Sequence, residues 1–153
     1  MMKLYLVQHG EAKPKEEDPE RPLTDRGTEE VTKVATFLAR SGIKVNQIRH
    51  SGKRRAEETA SILGQNLSPP AGVRAVQGLA PKDGVDPIAE VLQLETNPIM
   101  LVGHLPFLNR LASLLLTGDE EKTVVHFRMG GCVCLVKEEE QWSMAWAITP
   151  DII

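Results

Sequence analysis

The stretch Leu4-Tyr5-Leu6-Val7-Gln8-His9-Gly10-Glu11 decides the fold class. Its first four residues form a continuous apolar run bounded by polar residues, which is typical of a strand buried on both faces of a sheet. A second run of this kind, Ile99-Met100-Leu101-Val102, is followed by Gly103-His104. Strands buried on both faces occur in sheets that helices cover on each side. The two runs therefore predict an α/β protein.

Apolar residues with a 3.6-residue period lie between the strand candidates and predict four helices. The first helix has Thr24 as its N-cap and the second follows Ser51. The third opens with Asp86 as its cap, and the fourth begins at Pro106. Residues 124–149 contain two strand-like runs, which predict a terminal hairpin. Alternating strands and helices predict a three-layer α/β/α architecture with a mostly parallel sheet.

Composition limits the classes of function. At 153 residues we expect one domain over residues 1–153, without a cap insertion. The net charge of -3 argues against a nucleic-acid partner. No apolar run approaches the ~20 residues of a membrane span, and the N-terminal run is too short for a signal peptide. The spacing of Cys132 and Cys134 predicts two buried thiols on one face of a strand. Free thiols suit a reducing compartment, so the cytoplasm is the expected location.

Histidines follow both buried runs at matching positions. His9 and His104 each lie two residues past an apolar run, and each has a neighbouring glycine. Open α/β sheets bind ligands beyond the carboxyl ends of their strands, so both histidines are candidate site residues. A basic segment, Arg49–Arg55, opens the second helix, where free N–H groups and arginines favour an anion. The alternative is a solvated basic turn whose charge is offset by Glu57 and Glu58.

The chain resembles the histidine phosphatase superfamily, which has the phosphoglycerate mutase-like fold. The family's strand followed by Arg-His-Gly is similar to Val7-Gln8-His9-Gly10-Glu11-Ala12, with glutamine in the place of arginine. Its second block resembles Ser51-Gly52-Lys53-Arg54-Arg55-Ala56-Glu57-Glu58-Thr59-Ala60, and its later Gly-His resembles Gly103-His104. The short SixA-type branch, with an arginine before Pro-Leu-Thr, is the most similar to Arg21-Pro22-Leu23-Thr24.

The resemblance implies that His9 is the nucleophile, that Arg55, Arg21 and His104 bind the phosphoryl oxygens, and that Gln8 donates one neutral hydrogen bond. Neutral imidazole is a competent nucleophile near pH 7. Phosphoryl transfer then requires in-line positioning and positive charge around the oxygens. Two arginines and a protonated His104 are expected to supply that charge. No metal or cofactor is expected, because the four histidines form no metal-binding pattern.

The implied substrate is phosphohistidine on a partner protein, with inorganic phosphate as product. Many relatives use a glutamate to protonate an alkoxide leaving group. Here the corresponding region is Leu79-Ala80-Pro81-Lys82-Asp83, in which Asp83 is either a substitute acid or a surface-turn aspartate. A missing acid favours phosphohistidine, whose protonated imidazole leaves readily. The alternatives are a phosphatase for small phosphate esters or nucleotides, and a non-catalytic phosphate- or phosphoprotein-binding module, which Gln8 favours.

Overall fold

The computed structural model describes all 153 residues and contains one mixed sheet of six strands. The strands are β1 (Met2–Gln8), β2 (Gln47–His50), β3 (Val73–Ala75), β4 (Ile99–Gly103), β5 (Cys132–Glu138) and β6 (Gln141–Ile148). Their order across the sheet is β3-β2-β4-β1-β5-β6. Strands β3, β2, β4 and β1 pair in parallel, whereas β5 pairs antiparallel with both β1 and β6. The predicted hairpin thus extends a parallel sheet at one side.

Four helices join these strands: α1 (Asp25–Arg40), α2 (Arg54–Leu67), α3 (Asp86–Leu94) and α4 (Phe107–Thr117), and a short 3₁₀ helix covers Pro150–Ile152. The Thr24 hydroxyl caps α1 as expected, accepting a hydrogen bond from the N–H of Gly27 at 2.9 Å. The predicted Asp86 cap is wrong. Val85 precedes α3 with helical backbone angles, so Asp86 is already the first helical residue. None of the helices is long and apolar enough to cross a bilayer.

The helices cover both faces of the sheet. Leu4 and Leu6 of β1 belong to a buried cluster that includes residues of α3 and α4. Tyr5 and Val7 belong to a second cluster with residues of α1 and α2. Because successive side chains of a strand point to opposite faces, one apolar run supplies both layers. The three-layer α/β/α architecture is confirmed.

Two cysteines of β5 lie in the layer below α1 and α2. Cys132 and Cys134 are both buried and free. Burial raises the pKa of both thiols, since the thiolate loses hydration in an apolar environment. Their i, i+2 spacing places both side chains on one face, as the sequence predicts.

The chain leaves the two central strands toward opposite faces. It passes from β1 to α1 on one face and from β4 to α4 on the other. The ends of β1 and β4 are neighbours because Gln8 pairs with Gly103. A crevice opens where adjacent parallel strands continue to opposite faces. The residues that follow Gln8 and Gly103 therefore enter the same crevice.

The loop after β1 packs closely against the start of α1. A Cβ on Gly10 would lie 2.7 Å from a methyl carbon of Val31, and one on Gly27 would lie 2.2 Å from the carbonyl oxygen of Glu11. The same carbonyl accepts a hydrogen bond from the N–H of Thr24 at 2.9 Å. Glycine is required at both positions because any side chain would separate this loop from the helix.

Candidate active site

The backbone holds His9 at the carboxyl end of β1. Its N–H donates to the carbonyl of Gly103 at 3.0 Å, which ties the ends of β1 and β4 together. The imidazole is buried, with 8% of the residue exposed, and its Nδ1 lies 2.7 Å from the carbonyl oxygen of Gly10. A carbonyl only accepts hydrogen bonds, so Nδ1 is the donor. The neutral ring therefore carries its lone pair on Nε2, where a nucleophile needs it.

His104 faces His9 across the crevice. The two ring centroids are 5.1 Å apart, with the planes inclined by 51°. Nε2 of His104 lies 2.6 Å from Oγ of Ser51, at the end of β2. Its Nδ1 is buried and has no hydrogen-bond partner. The arrangement leaves His104 with one polar atom free to bind a ligand.

Helix α2 brings Arg55 to the two histidines. Its first turn contains Arg55, whose Nε is buried without a partner. The hydroxyl of Thr59 donates to the carbonyl of Arg55 at 2.8 Å and accepts from the N–H of Gly10 at 3.0 Å. This one side chain fixes the loop that carries His9 against the helix that carries Arg55.

The adjacent Arg54 points to a different environment. It is exposed and makes ion pairs with Glu58 at 2.8 Å and with Glu20 at 2.6 Å. Glu20 precedes Arg21, whose backbone has a positive φ of 50° and whose Nε donates to the carbonyl of Lys13 at 3.0 Å. The Arg54–Glu20 pair thus connects α2 to the loop next to Arg21. Arg54 has no free charge to offer to a ligand.

Burial and positive charge keep both histidines neutral. Burial, with Arg55 and Arg21 nearby, lowers the pKa of His9 to about 4, although its hydrogen bond to Gly10 acts in the opposite direction. Burial, His9 and the surrounding cations lower the pKa of His104 to about 3. The expectation of a protonated His104 is therefore wrong for the protein on its own. A phosphate dianion would raise this pKa, since an opposite charge favours the protonated form.

These lowered pKa values predict a loss of stability in acid. An unfolded histidine binds its proton near pH 6.5, whereas folded His9 and His104 do so only near pH 4 and pH 3. Between pH 6.5 and pH 4 the unfolded chain binds more protons, so stability falls as the pH falls. In this range each histidine lowers the free energy of unfolding by about 1.4 kcal/mol for each unit that the pH falls.

Urea unfolding at several pH values measures this slope in the wild type and in His104→Gln. We expect the variant to lose the part of the slope that His104 contributes. Equal slopes in the two proteins would contradict the lowered pKa of His104. Carboxylates titrate in both proteins alike, so the difference between them isolates the histidine.

Gln8 and Asp83 lie at the site with different surroundings. Gln8 is partly buried, and its Oε1 is buried without a partner. One carboxylate oxygen of Asp83 accepts from the N–H of Ala80 at 2.9 Å. Asp83 also lines a groove of about 530 Å³ together with Ser51. It is therefore a turn-capping aspartate at the edge of the site. No group of three or more His, Cys, Asp or Glu side chains is arranged to hold a metal ion.

The structure brings together His9, His104 and Arg55, with Arg21 in the adjacent loop. Ser51 and Thr59 also belong to the site, and the sequence alone assigned them no role although both lie in the second motif block. Only their position in that block could have indicated these residues, because a hydroxyl that orients a neighbouring group has no sequence pattern of its own.

A family model for the histidine phosphatase superfamily (branch 1) matches residues 4–80, which include His9, Arg21 and Arg55. The chain belongs to this superfamily. The match covers most of β1 together with α1, β2, α2 and β3, and so includes the strand end that carries His9. As a histidine phosphatase, the protein is a hydrolase of phosphorylated substrates.

Similarity to individual proteins extends beyond residue 80. The chain is 28% identical over 123 residues to the phosphohistidine phosphatase SixA of Escherichia coli (strain K12), covering 77% of this chain and 76% of that protein. It is 35% identical over 126 residues to an uncharacterized protein of Picosynechococcus sp., covering 77% and 75%. The structure of SixA complexed with tungstate superposes with a TM-score of 0.87 at 24% identity, covering 98% of each chain. The SixA-type fold extends over nearly the whole chain.

Proposed function

We propose that this histidine phosphatase hydrolyses phosphohistidine on a partner protein through a phosphorylated His9, and that it releases inorganic phosphate. The observation that carries the proposal is the state of the two imidazoles. Nδ1 of His9 is held by the carbonyl of Gly10, and the ring faces His104 at 5.1 Å. A neutral, oriented nucleophile therefore lies beside a second group with a free polar atom.

The first step transfers the phosphoryl group. Nε2 of His9 attacks phosphorus, and the bond between phosphorus and the substrate imidazole breaks as that ring leaves with a proton. Arg55, Arg21, His104 and Gln8 bind the phosphoryl oxygens, whose charge is spread in the transition state. Water then attacks the phosphorus of phospho-His9, the bond to Nε2 breaks, and phosphate leaves. The nucleophile returns to its neutral form with Nδ1 still bonded to Gly10.

Leaving-group chemistry supports phosphohistidine as the substrate. A protonated imidazole leaves without help from the enzyme, whereas an alkoxide requires a positioned acid. Asp83 is the acidic residue of the 79–83 segment, and one of its oxygens is already bonded to the N–H of Ala80. Similarity to a protein named phosphohistidine phosphatase also supports this substrate class.

Two connections at the crevice are short and support a protein substrate, whereas residues 9–24 form a longer connection between β1 and α1. Only residues 104–106 lie between β4 and α4, and residues 51–53 lie between β2 and α2. We therefore propose one domain over residues 1–153 with an open mouth that admits a side chain of another protein. Two free buried thiols support a cytoplasmic location. The net charge of -3 supports a protein rather than a nucleic acid as partner.

A small phosphate ester is the second candidate substrate, and the position of Asp83 favours it. Asp83 lines the same groove as Ser51, which is bonded to His104. In its protonated form, the second oxygen of the Asp83 carboxyl would donate a proton to a leaving alkoxide. This candidate predicts that Asp83→Asn slows the hydrolysis of an alkyl phosphate and leaves an aryl phosphate unaffected.

Turnover of three substrates tests the proposal. We expect kcat/KM to be at least about tenfold higher for a phosphohistidine-bearing protein than for an aryl phosphate, and lowest for an alkyl phosphate. Phosphate release measures all three reactions under the same conditions. A preference for the alkyl phosphate would reject phosphohistidine in favour of the second candidate.

A further inference from the structure

Lys53 is the one member of its basic segment whose charge is exposed and unpaired. Arg54 beside it is paired with two glutamates, and Arg55 is partly buried among the active-site residues. The Lys53 ammonium makes no ion pair within 4.0 Å, although acidic residues are common in this protein. A lysine with no acidic partner at the start of α2 has its charge available for a ligand.

A short chain of hydrogen bonds connects Lys53 to the second histidine. The N–H of Lys53 donates to Oγ of Ser51 at 3.3 Å, and that oxygen lies 2.6 Å from Nε2 of His104. His104 is 1% exposed and its Nδ1 is buried without a partner. The backbone of Lys53 is therefore two hydrogen bonds from the imidazole of His104, a separation that a four-carbon side chain can span. Its positive charge also contributes to the lowered pKa of His104.

Compared with the superfamily motif, which has arginine at this position, Gln8 leaves the site without one positive charge. Oε1 of Gln8 is buried without a partner, and a carbonyl oxygen repels a phosphoryl oxygen, so only the amide N–H groups can bind it. A charge-assisted hydrogen bond is worth roughly twice a neutral one. The nearby Arg54 cannot compensate because Glu58 and Glu20 occupy its guanidinium. Lys53 has the free charge and a flexible four-carbon stem.

We propose that the Lys53 ammonium binds a phosphoryl oxygen of the substrate and supplies the positive charge that Gln8 lacks. The proposal rests on phosphoryl transfer at His9. It makes Lys53 a substrate-binding residue and Ser51 a positioning residue, since the Ser51 hydroxyl contacts both the start of α2 and His104. Gln8 and Lys53 then form one functional pair from different elements.

A double-mutant cycle tests the pair. In the wild-type background we expect Lys53→Met to lower kcat/KM for phosphohistidine about tenfold and to weaken inorganic phosphate binding by a similar factor. Gln8→Arg alone should change kcat/KM by less than about threefold, because Lys53 already supplies the charge. In the Gln8→Arg background, Lys53→Met should lower kcat/KM by less than about threefold, because the arginine already supplies the charge. Lys53→Arg should retain most of the activity.

Lys44→Met is the matched control. Lys44 is also exposed and unpaired, but it lies in the connection from α1 to β2, where the chain enters the opposite edge of the sheet. Unchanged kinetics and phosphate binding in Lys53→Met would overturn the proposal. Equal losses in both backgrounds would also overturn it, since Lys53 would then act independently of Gln8.

Calorimetric titration with inorganic phosphate separates this proposal from the proposed function. If phosphohistidine is not hydrolysed but Lys53→Met still weakens phosphate binding only in the Gln8 background, the substrate assignment fails and the role of Lys53 stands. If the wild type hydrolyses phosphohistidine and Lys53→Met is unaffected, the function stands and the role of Lys53 fails. Circular dichroism confirms that each variant is folded.

Discussion

His9→Ala is expected to lose turnover of a phosphohistidine protein by about 10⁴-fold or more, the scale seen when a covalent nucleophile is removed. A methyl group cannot attack phosphorus, and the intermediate on Nε2 cannot form. The backbone N–H of residue 9 still donates to the carbonyl of Gly103, so the join between β1 and β4 does not depend on the side chain. Circular dichroism and phosphate release measure fold and activity together.

Trapping the intermediate is the complementary measurement. A quench without acid during turnover should leave a phosphoramidate that is stable to base and labile to acid, and peptide mapping should place it on His9. His126→Ala is the control because His126 is exposed and distant in sequence from the motifs. Undiminished hydrolysis by His9→Ala, or a phosphorylated residue elsewhere, would refute the assignment.

Arg55→Ala is expected to lower kcat/KM by about 10²- to 10³-fold, the effect of removing one preorganised donor to a developing charge. Its buried Nε has no partner in the protein, and burial together with the nearby Arg21 lowers the pKa of Arg55. Two guanidinium groups that repel each other are stabilised by an anion between them. The loss should appear in kcat as well as in KM, because the contact strengthens in the transition state.

Arg54→Ala is the matched control, one residue away on the same helix. We expect a change of no more than a few-fold, because Arg54 is bound to Glu58 and Glu20 at the surface and surface pairs contribute little. Arg55→Lys should recover only part of the activity, since lysine lacks the planar fork of arginine. If Arg54→Ala had the larger effect, the alignment of the second motif would be shifted by one residue.

The fold was predictable because its strongest signals are local. Leu4–Val7 and Ile99–Val102 are buried on both faces, and that requirement leaves a continuous apolar run in the sequence. The cap of α3 was not predictable in the same way. Aspartate is a favoured cap, but at Asp86 the preceding residue already has helical backbone angles, so tertiary packing determined where the helix begins.

The site was predictable in its members and less so in its electrostatics. His9 and His104 could be paired because both follow buried strands, and Arg55 was distinguished from Arg54 only by the family motif. The protonation of His104 could not be read from residue types. Its pKa depends on burial, on His9, and on cations from the start of α2 and from the loop after β1, which become neighbours only when the chain folds.

The burial of both cysteines has a practical consequence for chemical labelling. Cys132 and Cys134 are covered by the α1/α2 layer, and burial raises the pKa of both thiols. Sulfur is usually the first atom in a protein to react with an electrophilic probe, but here it is shielded and un-ionised. Cysteine therefore does not compete when a phosphonate or vinyl sulfone reagent is directed to the imidazole of His9 in the native sequence. Subtracting the labelling of His9→Ala then counts the reactive His9 side chains, without cysteine substitutions.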